Sequence, residues 1–380
     1  MKYAEEFRDP KAARGVLAGI ARVVDQIRAT GRAPVRIMEI CGGHTHAIFR
    51  YGLDKLVPDA LEFIHGPGCP VCVLPMSRVD ECVEIAETPG TILTTFGDAM
   101  RVPGTRKSLL QARADGADIR MVYSPLDALE IARRNPDREV VFFGLGFETT
   151  TPSTALTIQQ AARENLRNFS VFCNHITVPP PIRALLDDPH MLLDGFIGPG
   201  HVSMVIGTRP YEFIARDYGK PLVVAGFEPL DLLQSALMVL EQIRDGRAEI
   251  ENQYSRVVPD DGNPVSLAAI ADVYEPRPRF EWRGLGEIEE SGLRIRAAYR
   301  GFDAEGQFGV GYGASRARRV EEPEGCACGL VMTGRSKPVD CPQFGTGCTP
   351  DTPLGALMVS SEGACAAYYQ YGGARRAAAE

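Results

Sequence analysis

The sequence predicts an α/β fold: two similar parallel-sheet α/β domains related by internal duplication, then a C-terminal irregular and helical region rich in cysteine. Three observations carry this reading. Strand-like and helix-like runs alternate as far as about Ile250, local sequence recurs within that stretch at an offset near 103 residues, and beyond it the alternation stops while cysteines accumulate.

In chain order, apolar residues at helical spacing (Val16, Ile20, Val23, Ile27) mark an amphipathic helix between Lys11 and Arg32. Strand-like runs follow at residues 35–40, 61–64, 91–96, 118–123, 139–143, 169–173, 195–197 and 222–227. Segments of helical period or high helix propensity separate most of them, as at 108–114, 127–134 and 154–163. Strand and helix taken in turn give parallel sheets joined by right-handed crossovers.

The repeat divides the alternating part. Val122-Tyr-Ser-Pro125-Leu-Asp127-Ala-Leu recurs as Gly226-Phe-Glu-Pro229-Leu-Asp231-Leu-Leu. The strand ending at Ile40 before Cys41 answers to the one ending at Phe143 before Gly144, and Gly97-Asp-Ala-Met falls opposite Gly200-His-Val-Ser. A duplicated unit places a cleft between two similar lobes. The expected division is therefore 1–135, a first α/β domain with the N-terminal helix and a thiol site; 136–250, a second α/β domain; and 251–380, a C-terminal [4Fe–4S] region.

Composition excludes several function classes. The chain has 380 residues, 44% of them apolar, with no long uncharged apolar run, so a sizeable core is expected and a membrane span is not. The charged first residues lack the apolar region of a secretory signal, which argues for the cytoplasm. There ten cysteines read as metal ligands or redox thiols rather than a disulfide framework. A net charge of −8 without a basic block gives a nucleic-acid partner no electrostatic support.

The candidate site is read from Glu39-Ile-Cys41-Gly-Gly-His44-Thr-His46. A β-branched run breaking into Gly-Gly is a buried strand ending in a tight turn, which sets Cys41 at the carboxyl edge where open α/β sheets bind ligands. Cys69 and Cys72 follow the next strand in Gly66-Pro-Gly-Cys69-Pro-Val-Cys72, so three soft ligands are expected at one edge. Cys82 at helix spacing and Cys173 at a strand end read as packed hydrophobes. His175 and His201, beside strand ends, suit a backbone hydrogen bond as well as a ligand role. Gly144-Leu-Gly146 lacks the third glycine and the lysine of nucleotide-binding turns.

In the third region Cys326, Cys328, Cys341, Cys348 and Cys365 lie among glycine and proline turns, with a helix delivering Cys365. Four thiolates suit either structural zinc or a [4Fe–4S] cluster. The paired close spacings of a zinc ribbon are missing, which favours the cluster.

Cys41-Gly-Gly-His-Thr-His-Ala, Gly66-Pro-Gly-Cys-Pro-Val-Cys, Phe96-Gly-Asp-Ala-Met-Arg-Val-Pro, Gly198-Pro-Gly-His-Val-Ser and Gly355-Ala-Leu-Met-Val-Ser-Ser-Glu-Gly-Ala-Cys together resemble the HypD family of hydrogenase maturation proteins. The resemblance runs from the first helix to Tyr369. It implies a scaffold and redox centre, not a conventional enzyme, that works with HypC and the cyanide-donating HypE in building the Fe(CN)2CO moiety of [NiFe] hydrogenases. By motif it implies Cys328, Cys341, Cys348 and Cys365 as [4Fe–4S] ligands, Cys69 and Cys72 as a redox-active pair, and Cys41 as the thiol that takes the transient iron bearing CN and CO. Cys326 stands outside that four-ligand spacing. Thiolate suits low-valent iron, and a cluster beside a Cys-x-x-Cys pair suggests an electron relay to the iron fragment. His44 and His46 are expected to lower the Cys41 pKa or to hydrogen-bond its bound ligands. A free-standing iron–sulfur thiol–disulfide oxidoreductase is the alternative, needing only Cys69 and Cys72. A structural zinc protein is a third reading.

Overall fold

The protein is described by a computed structural model covering residues 5–311 and 323–372. After α1 (Pro10–Arg28), the alternating elements are β1 (Val35–Glu39), α2 (Gly42–Tyr51), β2 (Leu61–His65), α3 (Pro70–Val73), α4 (Met76–Glu87), β3 (Thr91–Thr95), α5 (Leu109–Ala114), β4 (Ile119–Met121), α6 (Pro125–Arg134), β5 (Glu139–Gly146) and α7 (Thr151–Arg163). They continue as β6 (Phe169–His175), α8 (Pro179–Leu186), β7 (Gly195–Pro199), α9 (Gly200–Ile206), α10 (Glu212–Tyr218), β8 (Leu222–Ala225), α11 (Pro229–Arg244) and β9 (Ile250–Asn252). Every strand run read from the sequence is present, and β9 is an addition to them.

The strands form two parallel sheets, a five-stranded one ordered β2-β1-β7-β8-β9 and a four-stranded one ordered β4-β3-β5-β6. Pairing does not follow the expected division at residue 135. Thr91 of β3 is in register with Glu139 of β5, and Ile37 of β1 with Gly195 of β7, so each sheet takes strands from both sides of that boundary. The division took the repeated halves as contiguous lobes; here the chain leaves the first sheet after β2 and returns to it at β7. Read from opposite ends, the two sheets share one order: β2, β1, β7, β8 in the first stand where β6, β5, β3, β4 stand in the second.

The recurring Pro-Leu-Asp has a local cause. Pro125 and Pro229 each sit in the first turn of their helix, where no backbone N–H is needed. The Asp127 carboxylate then accepts the Ser124 N–H at 3.0 Å, and Asp231 accepts that of Glu228 at 3.2 Å. Both motifs are helix starts of the same chemistry.

Beyond β9 the chain forms α12 (Pro264–Val273), two small antiparallel pairs made from β10 (Tyr274–Pro276) with β13 (Leu293–Ile295) and β11 (Arg279–Trp282) with β12 (Gly286–Glu289), and the short helices α13 (Ala304–Phe308), α14 (Cys328–Met332) and α15 (Ala364–Tyr371). Apolar packing ties this region to the rest of the fold. Phe280, Trp282, Val331, Met332, Leu357 and Met358 enter the same core as Ile40, Cys69 and Cys72, and each such buried side chain contributes roughly 1.5–3 kcal/mol. A charged network adds a second tie. Buried Arg78 on α4 binds Asn174 Oδ1 at 2.5 Å, the Cys173 carbonyl at 3.1 Å and the Glu305 carboxylate, which Arg277 also holds.

A second core lies under α1, where Ile20, Val23, Val24 and Ile27 pack against Leu232, Leu233, Ala236, Val239 and Leu240. Cys82 and Cys173 are fully buried in apolar surroundings, as their spacing indicated.

Candidate functional site

The loops after β1 and β2 are packed back to back. The Gly66 N–H donates to the Glu39 carbonyl and the Gly42 N–H to the Gly68 carbonyl, both at 2.9 Å. Gly68 lies so close to the Cys41 backbone that any side chain there would collide with it. Cys41 and Cys69 therefore occupy adjacent segments, each as the residue before a helix: Cys41 caps α2 and Cys69 caps α3. The expected tight turns are helix starts instead. Glycine at 42 and 43 serves close approach, since a Cβ on Gly42 would stand 2.5 Å from that of Glu362.

These segments open on a cleft of about 400 Å³ outside the carboxyl ends of both sheets. Its walls include Cys41 and His201 after β1 and β7, Asp98 and Phe147 after β3 and β5, and Glu362 from the C-terminal region. Neighbouring parallel strands whose following loops diverge leave a crevice of this kind. A wider groove of about 580 Å³ around Arg209 and Glu249 carries none of the thiols.

Beneath Cys41 lies Glu39, fully buried. Its carboxylate accepts the Cys41 N–H at 2.9 Å and the Thr45 hydroxyl, and meets His65 Nδ1 at 2.8 Å. Cys41 itself is 7% exposed. Thiols at helix N-termini usually ionise more easily. Here burial first, then the Glu362 and Glu39 carboxylates, push the Cys41 pKa well above the ordinary thiol value.

The backbone N–H groups of Gly43 and His44 pull this pKa down, but the His44 ring adds no charge to that effect. Its Nε2 meets the Ala225 carbonyl at 3.2 Å, and burial pulls its pKa down to about 4, so the ring is neutral at physiological pH. His46 is turned toward the Ser361 carbonyl at 3.3 Å and the edge of Tyr371. His201 stacks on Phe227 with ring centroids 3.8 Å apart and lines the cleft, whereas His175 is an interior residue bound to Thr154 Oγ1 at 3.1 Å.

Cys69 and Cys72 are joined as a disulfide, with Cα atoms 5.3 Å apart, and are 3% and 1% exposed. The five C-terminal cysteines gather around two segments. The Cys328 thiol interacts with the side chains of Cys326 and Cys365. Cys341 Sγ donates to the Gly325 carbonyl at 3.6 Å, and Cys348 Sγ accepts the Leu354 N–H at 3.3 Å. Gly355 leaves the space between them open: a Cβ there would stand 2.6 Å from Cys326 Sγ and closer still to Cys328 Sγ. Among the described residues no three Cys, His, Asp or Glu side chains surround a single-ion site. The donor set is all thiol, which is compatible with an iron–sulfur cluster and with zinc alike.

A family model, HypD, described as "Hydrogenase formation hypA family", matches residues 14–372. The chain is 79% identical over 377 residues to the hydrogenase maturation factor HypD of Rhodobacter capsulatus, covering 99% of this chain and all of that one. It is 55% identical to the HypD of Escherichia coli K12, covering 98% of each, and 53% identical to HypD2 of Bradyrhizobium diazoefficiens, covering 98% and 97%. The chain belongs to the HypD family.

Every thiol discussed above lies inside the span matched by the HypD model. The Cys41 motif, read as cysteine and histidines, understates the site. Glu39, Thr45, His65 and Glu362 set the surroundings of the thiol, and they became visible only when the loops were stacked. Glu39 alone left a sequence signal, as a carboxylate inside an apolar strand. Glu148 is a further missed group: buried beside β5, it accepts the Val178 N–H at 3.0 Å, and burial raises its pKa to about 7.

The raised Cys41 pKa has a measurable result. With less thiolate at pH 8, Cys41 in iron-free protein is expected to alkylate more than about tenfold slower than a free cysteine peptide, one pKa unit being a tenfold change. Glu362→Gln is expected to raise that rate. Mass spectrometry of the Cys41 peptide measures both, and equal rates for protein and peptide would contradict this electrostatic account.

Proposed function

We propose that the chain is a maturation factor for [NiFe] hydrogenases, acting as scaffold and redox centre for assembly of the Fe(CN)2CO moiety with a HypC-like small protein and a HypE-like cyanide donor. The names of its relatives support maturation. The observation that carries the scaffold role is the buried Cys41 between two carboxylates in a cleft wall, on a segment stacked against the disulfide-bearing turn.

Iron is cargo at this site. Glu39 and Glu362 disfavour the Cys41 thiolate when the cleft is empty and favour a cation once one arrives, so the thiol stays protonated until iron displaces its proton. Neutral His44 offers no competing charge. A small partner protein docking over the cleft completes the iron's ligand set and excludes water.

Cys328, Cys341, Cys348 and Cys365 are the residues proposed to hold a [4Fe–4S] cluster, with one-electron chemistry as its contribution when bound. Cys69 and Cys72 hold two electrons: oxidation of the dithiol forms the S–S bond and releases two electrons and two protons, and reduction reverses this. Their burial argues against a free-standing oxidoreductase, because exchange with a protein disulfide requires an accessible sulfur. The strand order common to the two sheets further supports a duplicated unit with its halves exchanged between sheets.

Cys69→Ser tests the redox assignment. Wild type is expected to titrate as one two-electron couple at this pair and to contain no stoichiometric zinc. The variant is expected to lose that couple and stop cofactor production while keeping cluster iron and partner docking. One tightly held zinc per wild-type chain, lost on substitution, would refute it.

A further inference from the structure

We infer that Cys326 and Cys328 are alternative ligands for one corner of the iron–sulfur cluster and exchange with each other. The inference rests on the reading of the C-terminal cysteines as cluster ligands and adds a fifth thiol to that site.

Both sulfurs are aimed at one place. Gly355 has no side chain, and the position its Cβ would take lies 2.6 Å from Cys326 Sγ and nearer still to Cys328 Sγ. The Cys328 thiol also interacts with the side chains of Cys326 and Cys365. The other members approach from the same two segments, Cys341 through the Gly325 carbonyl beside Cys326 and Cys348 through the Leu354 N–H beside Gly355. Cys341, Cys348 and Cys365 fill three corners, which leaves two thiols for the fourth.

The backbone permits the swap. Cys328 is the first residue of α14 and only 4% exposed, while Cys326 lies in the preceding turn, its N–H bound to the Pro323 carbonyl at 2.9 Å, and is partly exposed. The turn and the helix start can each present a sulfur to the Gly355 gap, where a Cβ would block both. Exchange is a ligand substitution without redox change. The Fe–S bond to Cys328 breaks, that to Cys326 forms, and the proton of the Cys326 thiol passes to Cys328. Charge is conserved, but the ligand moves from a buried to a more hydrated place. Water beside a thiolate stabilises the more negative reduced cluster, so the Cys326-ligated form has the higher potential.

The test is alkylation of folded, cluster-loaded wild type with iodoacetamide under anaerobic conditions, followed by mapping of the label. Exchange predicts single labels divided between Cys326 and Cys328, never both on one chain, together with intact iron and sulfide in Cys326→Ala and in Cys328→Ala. It also predicts a higher cluster potential in Cys328→Ala than in Cys326→Ala. Label on Cys326 alone, with clusters lost from folded Cys328→Ala, would overturn the exchange while leaving the cluster assignment standing. Wild-type protein purified anaerobically without iron and sulfide would instead overturn the cluster assignment itself.

Discussion

Cys41→Ala is expected to abolish hydrogenase maturation in cells that carry no other copy, while the protein accumulates normally. The loss should exceed the roughly 10–100-fold effect of removing an outer-shell partner of a bound metal, because here the thiolate that takes the iron is itself gone. Stability should change little. The substitution removes one sulfur from a site on the cleft wall and costs about 1 kcal/mol, the ordinary effect of a point change. The Cys69–Cys72 disulfide and the C-terminal cysteines belong to other segments and should be unaffected. Recovered hydrogenase activity measures the effect, with the Cys41→Ala protein level on a blot as its control. Maturation at a tenth of wild type or more would show that iron is held elsewhere.

Cys341→Ala is expected to remove the cluster. Iron in anaerobically purified protein should fall from about four atoms per chain to near none, with loss of the brown colour. The unfolding that follows should be local. Val331, Met332, Leu357 and Met358 remain in the common core, and the Arg78–Glu305–Arg277 network still ties the region around α13 to the second sheet. Breaking that network by Arg78→Ala would cost more, about 3–5 kcal/mol, since it leaves a buried carboxylate without one of its partners. Amide exchange in Cys341→Ala should therefore rise between residues 325 and 355 and stay at wild-type values in β1, β5 and β7. Full iron and sulfide in this variant would remove Cys341 from the ligand set.

Much of this arrangement was legible in the sequence, for physical reasons that also mark the limits. Runs such as 140–143 and 222–225 are apolar, rich in valine and buried on both faces, so their strand character does not depend on which strand lies beside them. Their neighbours do depend on it. The pairing of β1 with β7 is a long-range fact with no local trace, and a repeat near 103 residues suggested contiguous lobes where the strands interleave. The Pro-Leu-Asp motif was a true local signal, of a helix start.

At the site, Cys41, Cys69 and Cys72 were found because glycine and proline around a thiol are unusual for a packed cysteine. The rise of the Cys41 pKa was not legible because its larger causes, burial and Glu362, lie outside the motif, with only Glu39 inside it. Glu362 reaches Cys41 across more than three hundred residues, and His44 is buried against the Ala225 carbonyl. The five C-terminal cysteines were each visible. That two of them face the gap at Gly355 required the fold.

The scaffold role requires that Cys41 carry the iron fragment. Infrared spectra of the chain co-purified with its small partner protein, for wild type beside Cys41→Ala, address this most directly. Wild type is expected to show the stretching bands of metal-bound cyanide and carbon monoxide, and Cys41→Ala to lack them while still binding the partner and retaining cluster iron. The same bands in Cys41→Ala, at wild-type intensity, would contradict the assignment of Cys41 as the iron ligand.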